Sequence, residues 1–152
     1  PTIRYCNMEW AVLKIILAGV VGSIIGLVNK YLNSLEESAR VFAIISMGAA
    51  LTSIVSIDFF KSVSYTWTSD PGRISAQVIS ALGFLGTGLI WMSEKDNKIK
   101  GVSVAASLWV TAIMGILIGA GLTTPTVLGV FFIVLVYWLY SITDWSKVYK
   151  RK

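Results

Sequence analysis

The sequence predicts an all-α integral membrane protein with five transmembrane helices, formed by a single domain over residues 1–152. Three observations support this fold class. The chain is 55% hydrophobic and only 14% charged, whereas soluble domains carry roughly 25% charged residues. The apolar residues are gathered into five separate segments. Most lysines and arginines lie between those segments or in the last six residues of the chain.

The five hydrophobic segments have the length needed to cross a bilayer. They cover residues 10–28, 41–57, 74–92, 102–122 and 125–142. A helix needs roughly 20 apolar residues to span the hydrocarbon core, and backbone groups in lipid must bond to one another. We therefore predict a transmembrane helix in each segment, with the fourth and fifth joined by a tight turn.

The distribution of basic residues predicts the orientation of these helices. With the N-terminus outside, nine lysines and arginines face the inside and four remain outside. The nine are Lys30, Arg40, Lys95, Lys98, Lys100, Lys147, Lys150, Arg151 and Lys152. The positive-inside rule therefore predicts an outer N-terminus and a cytoplasmic C-terminus. Lys14 lies one turn inside the first segment, and we expect its side chain to extend to the headgroups.

The residue types that most often perform catalysis are either absent from the chain or lie away from the bilayer centre. The chain has no histidine, and Cys6 is its only cysteine, so it can form neither an internal disulfide nor a histidine-based acid–base site. The acidic residues fall in loops or near segment ends, away from the bilayer centre. We predict a protein that is not an enzyme and has no cofactor. We also expect no nucleic-acid binding, since no basic face with interleaved aromatic residues lies outside the segments.

The third segment combines apolar length with a polar entry. Asp70 can cap the helix, and the proline that follows suits the first helical position. Gln77 lies about one turn inside, where an amide needs a partner, and we expect Ser103 or Ser107 of the fourth segment to provide it. Asp70 and Asp58 are also weak candidates for an outer Mg²⁺ entry site, because Mg²⁺ needs only one or two carboxylates. Helix capping alone is the alternative role for Asp70.

Small residues recur four apart on several segments, and such a stripe lets two helix backbones approach closely. The stripes contain Gly22 and Gly26 on the first segment, Gly48, Thr52 and Ser56 on the second, and Ser107, Thr111, Gly115 and Gly119 on the fourth. We expect close packing within the bundle, with contact between copies of the chain as the alternative. For Gly83, Gly86 and Gly88 we expect close packing of the third segment against the fourth. A broken, site-forming helix is the alternative there.

The third and fourth segments carry a recognisable pattern. Residues 70–88 read DPGRISAQVISALGFLGTG, and residues 101–109 read GVSVAASLW. Both blocks, in this order, resemble the core of the MgtC/SapB family of membrane proteins, whose pattern is approximately DPxRIAAQVVSGIGFLGAG and then GLTTAASLW. The resemblance implies a functional role for the motif positions, which are Arg40, Asp70, Arg73, Gln77, Gly83, Gly86, Gly88, Ser103, Ser107 and Trp109.

The chain departs from the family pattern in two places. A run similar to Gly-Leu-Glu-Arg usually ends the first segment, whereas this chain has Gly26-Leu-Val-Asn29-Lys30. The Arg-Thr-His of the second segment becomes Arg40-Val-Phe42. The roles of the missing Glu, Arg and His therefore do not carry over. The chain also resembles the minimal, SapB-like form that lacks a C-terminal cytoplasmic domain.

The resemblance implies a multi-pass protein of the bacterial inner membrane that takes part in Mg²⁺ homeostasis and in stress or virulence adaptation. It also implies contacts with membrane partners, such as the F-type ATP synthase. Our leading hypothesis is a non-enzymatic regulator, embedded in the lipid bilayer, that works through such contacts and through association of its own copies. The alternative is a Mg²⁺ transporter or channel that uses the polar face of the third and fourth segments.

Overall fold

The structure, a computed structural model, describes residues 8–33, 39–63, 70, 72–94 and 97–149. These residues are nearly all helical. The helices are α1 (Met8–Asn33), α2 (Ala39–Val63), α3 (Arg73–Leu89), α4 (Val102–Ala120) and α5 (Thr123–Tyr149). Two short strands, β1 (Trp91–Met92) and β2 (Ile99–Lys100), form an antiparallel pair between α3 and α4. Each hydrophobic segment thus contains a helix, as the sequence predicts.

The boundary expected at the end of the third segment is wrong. The sequence predicts a helix that continues to Met92, but α3 ends at Leu89 and the chain turns into the β1–β2 hairpin. Gly101 directly follows this hairpin and has φ of +89°. A Cβ there would collide with the Leu89 carbonyl oxygen. Trp91 and Met92 are apolar, so hydropathy alone includes them in the preceding helix.

The fourth segment also ends earlier than expected, at Ala120 instead of Leu122. Gly121 adopts the left-handed conformation, with φ of +75°. Its N–H donates to the Ile118 carbonyl oxygen, and the Leu122 N–H donates to the Leu117 carbonyl oxygen, both at 3.0 Å. This is the Schellman pattern, which satisfies the last carbonyl groups of a helix.

Helix α2 packs tightly against α1 because α1 presents glycines to it. A Cβ at Gly22 would lie 2.6 Å from the Phe42 carbonyl oxygen, and one at Gly26 would lie 2.8 Å from the Ala39 Cα. Any larger residue at these two glycine positions would therefore force the two backbones apart. The pairing order shows that α1 and α2 run antiparallel.

Helix α2 makes an equally close contact with α4. A Cβ at Gly115 would collide with the Ser46 carbonyl oxygen, and one at Gly119 with the Ala50 carbonyl oxygen. The order of these contacts shows that α2 and α4 run parallel. Helix α2 therefore lies between glycines of α1 and glycines of α4.

Helix α4 is the centre of the bundle, since it contacts each of the other four helices. Its buried side chains include Val104, Leu108 and Met114, which pack with Ile25 of α1 and Phe42 of α2. Large apolar side chains cover the outside of the bundle as well. They include Phe84, Val127 and Leu27, which are 81%, 67% and 57% exposed.

Within the part of the chain that the structure describes, three helices are long and apolar enough to cross a membrane by length and composition. They are Glu9–Tyr31, Ala39–Phe60 and Val102–Ala120. Thr123–Leu139 is a shorter apolar stretch within α5, and α3 has 17 residues.

Candidate functional site

Helix α3 carries most of the family-like motif, and Asp70 defines its start. The Asp70 Oδ1 accepts a hydrogen bond from the Gly72 N–H at 2.8 Å, and the Arg73 N–H donates to the Asp70 carbonyl oxygen at 3.2 Å. These bonds satisfy two of the orphan N–H groups at the helix N-terminus. Asp70 thus stabilises the turn that leads into α3 but is not the N-cap residue, which is Gly72 and has no side-chain capping bond.

The described residues contain no group of three or more His, Cys, Asp or Glu side chains that could hold a metal ion. The Asp70 side chain is exposed, and one of its oxygens is already bonded to the backbone. Asp58 lies near the end of α2 and is partly buried. The two weak metal candidates of the sequence therefore do not form part of a larger ligand cluster in the described chain.

Helix α3 has one face toward the bundle and one face away from it. Leu82 is buried against Ala49 of α2 and Ala112 of α4. The opposite side is exposed and consists of residues three or four apart, which place it on one stripe of the helix. We call this the outward face of α3, and its members are Arg73, Gln77, Ser80, Phe84 and Thr87.

The hydrogen bond expected from Gln77 to α4 is not formed. The Gln77 side chain lies on the outward face, and no described residue bonds to its amide. Ser107 donates instead to the Ser103 carbonyl oxygen at 2.7 Å and lies 3.3 Å from the Tyr137 hydroxyl. The expectation is wrong because Gln77 lies on the side of α3 opposite to its contact with α4.

The glycines of α3 are also placed differently from the expectation. Within the described residues, a Cβ at Gly83 or Gly88 would meet nothing within 4 Å, and one at Gly86 would lie 3.6 Å from the Ala105 Cβ. Close packing of α3 against α4 at Gly83 and Gly88 is therefore wrong, and Gly86 makes only an ordinary contact. The broken-helix alternative is wrong too, because α3 is continuous from Arg73 to Leu89.

The hydroxyl groups of the outward face bond within α3 itself. Ser80 donates to the Ala76 carbonyl oxygen at 3.2 Å, and Thr87 donates to the Phe84 carbonyl oxygen at 2.7 Å. These bonds satisfy the hydroxyl protons without a second helix. Among the described residues, the Gln77 amide and the Arg73 guanidinium are thus the polar groups of this face that have no hydrogen-bond partner.

Arg40 and Ser103 lie at the other end of the bundle, and Trp109 lies farther along α4. Arg40 is exposed in the first turn of α2, and Ser103 is exposed in the first turn of α4. Trp109 projects from α4 and is 44% exposed. Because α3 is about 25 Å long, Arg73 at its start is far from this end. The structure therefore distributes the motif along the length of the bundle and does not gather it into one pocket.

The second helix holds a stripe that differs from the expected one. Gly48 is exposed, and a Cβ placed there would meet nothing within 4 Å in the described chain, whereas Ser46 and Ser53 are buried. The Ser46 Oγ is buried between α1 and α4, and no described residue bonds to it. The spacing of small residues identified Ser56, which is buried, but it assigned Gly48 to the wrong face.

Lys14 makes a contact that the sequence analysis missed. Its Nζ donates to the Gly119 carbonyl oxygen of α4 at 3.1 Å, between residues 105 positions apart. The expected extension to the headgroups is replaced by a bond at the negative end of the α4 dipole. Gly121 allows the approach, since a Cβ there would lie 3.1 Å from the Lys14 Nζ.

Comparison with known proteins tests the family resemblance directly. The sequence profile described as the MgtC family matches residues 15–144. The chain belongs to the MgtC family. The resemblance inferred from the two motif blocks is thereby confirmed, and the match agrees with the apolar helices in identifying a membrane protein.

Individual relatives in this family come from several bacteria. An uncharacterized protein of Haemophilus influenzae is 39% identical over 118 residues, which are 76% of this chain and 49% of that protein. The putative magnesium transporter YhiD of Escherichia coli K12 is 36% identical over 113 residues, 73% of this chain and 51% of YhiD. Protein MgtC of Salmonella typhimurium is 36% identical over 110 residues, 72% of this chain and 43% of MgtC. The chain spans about half the length of these relatives, and no solved structure matches it significantly.

Proposed function

We propose that this chain is a multi-pass protein of the bacterial inner membrane that takes part in Mg²⁺ homeostasis without acting as an enzyme. It acts through helix contacts with membrane partners, which include further copies of this chain. Membership of the MgtC family and the name of the Escherichia coli relative, a putative magnesium transporter, support the link to Mg²⁺. By analogy with the family, the F-type ATP synthase is one candidate partner.

All five helices cross the bilayer in this proposal, with the N-terminus outside and the C-terminus in the cytoplasm. Support comes from the alternation of direction, since α1 and α2 are antiparallel while α2 and α4 are parallel. The exposed apolar side chains outside the bundle fit a lipid environment. The excess of basic residues toward the cytoplasmic side gives the orientation.

The observation that carries the proposal is the outward face of α3. A membrane helix that faces only lipid gains nothing from an amide, because an unpaired polar group in hydrocarbon costs several kcal/mol. Gln77 nevertheless lies on the exposed side of α3 together with Phe84, which is 81% exposed. The densest part of the family motif thus points away from its own bundle, where another protein can cover it.

Photo-crosslinking in living cells tests the proposed function. A benzoylphenylalanine at Phe84 is expected to capture a protein, whereas the same group at Phe131 of α5, which is 59% exposed, is expected to capture none. Gln77→Ala and Arg73→Ala should each abolish rescue of growth at low Mg²⁺ in a strain lacking its own family member, with the protein still inserted in the membrane. Full rescue by both variants would contradict the proposal.

Transport of Mg²⁺ is the second candidate function, because one relative carries the name of a putative magnesium transporter. In this alternative the polar face of α3 and α4 lines the path. The two functions separate in liposomes that contain the purified chain. Mg²⁺ flux above that of empty vesicles, reduced by Gln77→Ala, would replace the contact proposal with a transport function.

A further inference from the structure

We infer that the outward face of α3 is covered by a second copy of this chain, with the α3 helices of the two copies packed side by side. This inference rests on the proposed function, because it names the occupant of the same face. Two copies inserted with the same orientation can be related by a twofold axis only if that axis is normal to the membrane. The two α3 helices then run parallel, and each residue meets its counterpart at the same depth.

Gln77 favours a second copy because an amide is self-complementary. Its carbonyl oxygen accepts and its NH₂ group donates, so two Gln77 side chains at equal depth can bond to each other. Side-chain amides hydrogen-bond across membrane helices and stabilise their association. No described residue of the chain's own bundle competes for this amide.

The charges at the start of α3 are also complementary between copies. Asp70 and Arg73 are both exposed, and no described acidic residue pairs with Arg73. Asp70 lies just before the N-terminus of α3, whose first residue is Arg73. Arg73 of one copy can therefore reach Asp70 of the other across the axis. This pair offsets the repulsion between two arginines held at the same depth.

The shape of the face fits a copy of itself. Phe84 projects from the face, and small exposed residues flank it on both sides: Gly83 on one, Ala81 and Gly88 on the other. A Cβ at Gly83 or Gly88 would meet nothing within 4 Å in the described chain. In a parallel pair, each phenylalanine ring can lie over the small residues of the other helix. The small residues of α3, which do not pack against α4, thus pack against the second copy.

Cysteine cross-linking tests this arrangement in a Cys6→Ser background. Ser80→Cys and Phe84→Cys are expected to form disulfide-linked dimers under mild oxidation in lipid-diluted liposomes, and Phe131→Cys is expected to remain monomeric. Dimers formed equally well at Phe131→Cys, or no dimer at either α3 position, would overturn the inference. Gln77→Leu should reduce the Phe84→Cys dimer at least fivefold, and Gln77→Asn should preserve most of it.

The protein captured by benzoylphenylalanine at Phe84 separates this inference from the proposed function. Capture of the chain itself supports both. Capture of another membrane protein alone overturns the dimer and leaves the proposed function standing. Capture of neither contradicts both. Circular dichroism and membrane extraction confirm that each variant still folds and inserts, and the mass of the wild-type chain in nanodiscs gives the copy number without any substitution.

Discussion

The Nζ of Lys14 donates a hydrogen bond to the carbonyl oxygen of Gly119 at 3.1 Å, which joins the second turn of α1 to the last turn of α4. Three further carbonyl groups at this end of α4 lack intrahelical partners in principle, and the Schellman bonds at Gly121 satisfy two of them. A cation at a helix C-terminus also interacts favourably with the helix dipole. The bond therefore stabilises the end of the central helix.

Replacing Lys14 with methionine should destabilise the chain by about 0.5–2 kcal/mol, the range for a charged donor at a helix C-terminus. Lys14→Arg should retain most of the stability, since it keeps the charge. Lys30→Met is the matched control, because Lys30 is exposed at the other end of α1. Unfolding in detergent, followed by circular dichroism, measures the differences. Equal losses from Lys14→Met and Lys30→Met would show that the bond contributes nothing.

The glycine contacts predict opposite effects for two similar substitutions. Gly115→Ala places a Cβ against the Ser46 carbonyl oxygen, so α2 and α4 must separate at a cost of about 1–3 kcal/mol. Gly48→Ala meets no neighbour within 4 Å and should be neutral or stabilising by up to about 1 kcal/mol through helix propensity. Unfolding in detergent compares the two. A larger loss for Gly48→Ala would contradict the packing of α2 against α4.

Two glycines with positive φ should differ in their tolerance of a side chain. Gly101→Ala is strained at φ of +89° and also collides with the Leu89 carbonyl oxygen, whereas Gly121→Ala is strained at φ of +75° and has only the flexible end of Lys14 nearby. We expect a loss of about 1–2 kcal/mol for Gly121→Ala and a clearly larger loss for Gly101→Ala. Gly121→Asn should be milder than Gly121→Ala, because asparagine tolerates this conformation. The order of thermal midpoints in detergent checks the ranking.

Ser46 offers a substitution that should not destabilise. Its Oγ is buried and unbonded in the described chain, and a buried hydroxyl without a partner carries a desolvation cost. Ser46→Ala should therefore leave stability unchanged or raise it by about 1 kcal/mol. Ser46→Val adds volume between α1 and α4 and should destabilise. A marked loss in Ser46→Ala would reveal a bond to this hydroxyl.

The proposed topology predicts a simple labelling pattern. Cys6 lies outside the described residues, and the sequence predicts that it faces the outside. An impermeant maleimide should label it in intact cells. In a Cys6→Ser background, Ile99→Cys in the β1–β2 hairpin should be labelled only after the membrane is made permeable, although Ile99 is 64% exposed. The reverse pattern would invert the proposed orientation.

Much of the fold could be predicted from hydropathy, because a lipid-spanning helix must be both long and apolar. The predicted ends of α3 and α4 were wrong, because local backbone geometry ends these helices before their apolar segments end. Trp91 and Met92 are apolar enough to extend α3, yet α3 ends at Leu89 and these two residues form strand β1 of the hairpin. Likewise α4 ends at Ala120, because Gly121 adopts the left-handed conformation, although the apolar Leu122 follows.

The residues of the candidate site could be predicted from the sequence. The neighbour that their helix face meets could not. The motif identified Gln77, Gly83 and Gly88 by type and spacing, and spacing shows which residues share a helix face. Spacing does not show which neighbour that face meets. Gln77 was expected to bond to Ser103 or Ser107, but it lies on the outward face of α3, and Ser107 lies beside Tyr137 of α5.

The sequence by itself determined the family, the five apolar helices and the residues available to form stripes, because each follows from local composition and order. Only the tertiary structure decided which stripe packs against which helix. Gly115 and Gly48 look alike in the sequence, yet one touches the Ser46 backbone and the other faces open space. The same holds for Lys14, whose partner lies 105 residues away. Such contacts depend on the rotation and order of whole helices, which the local pattern does not contain.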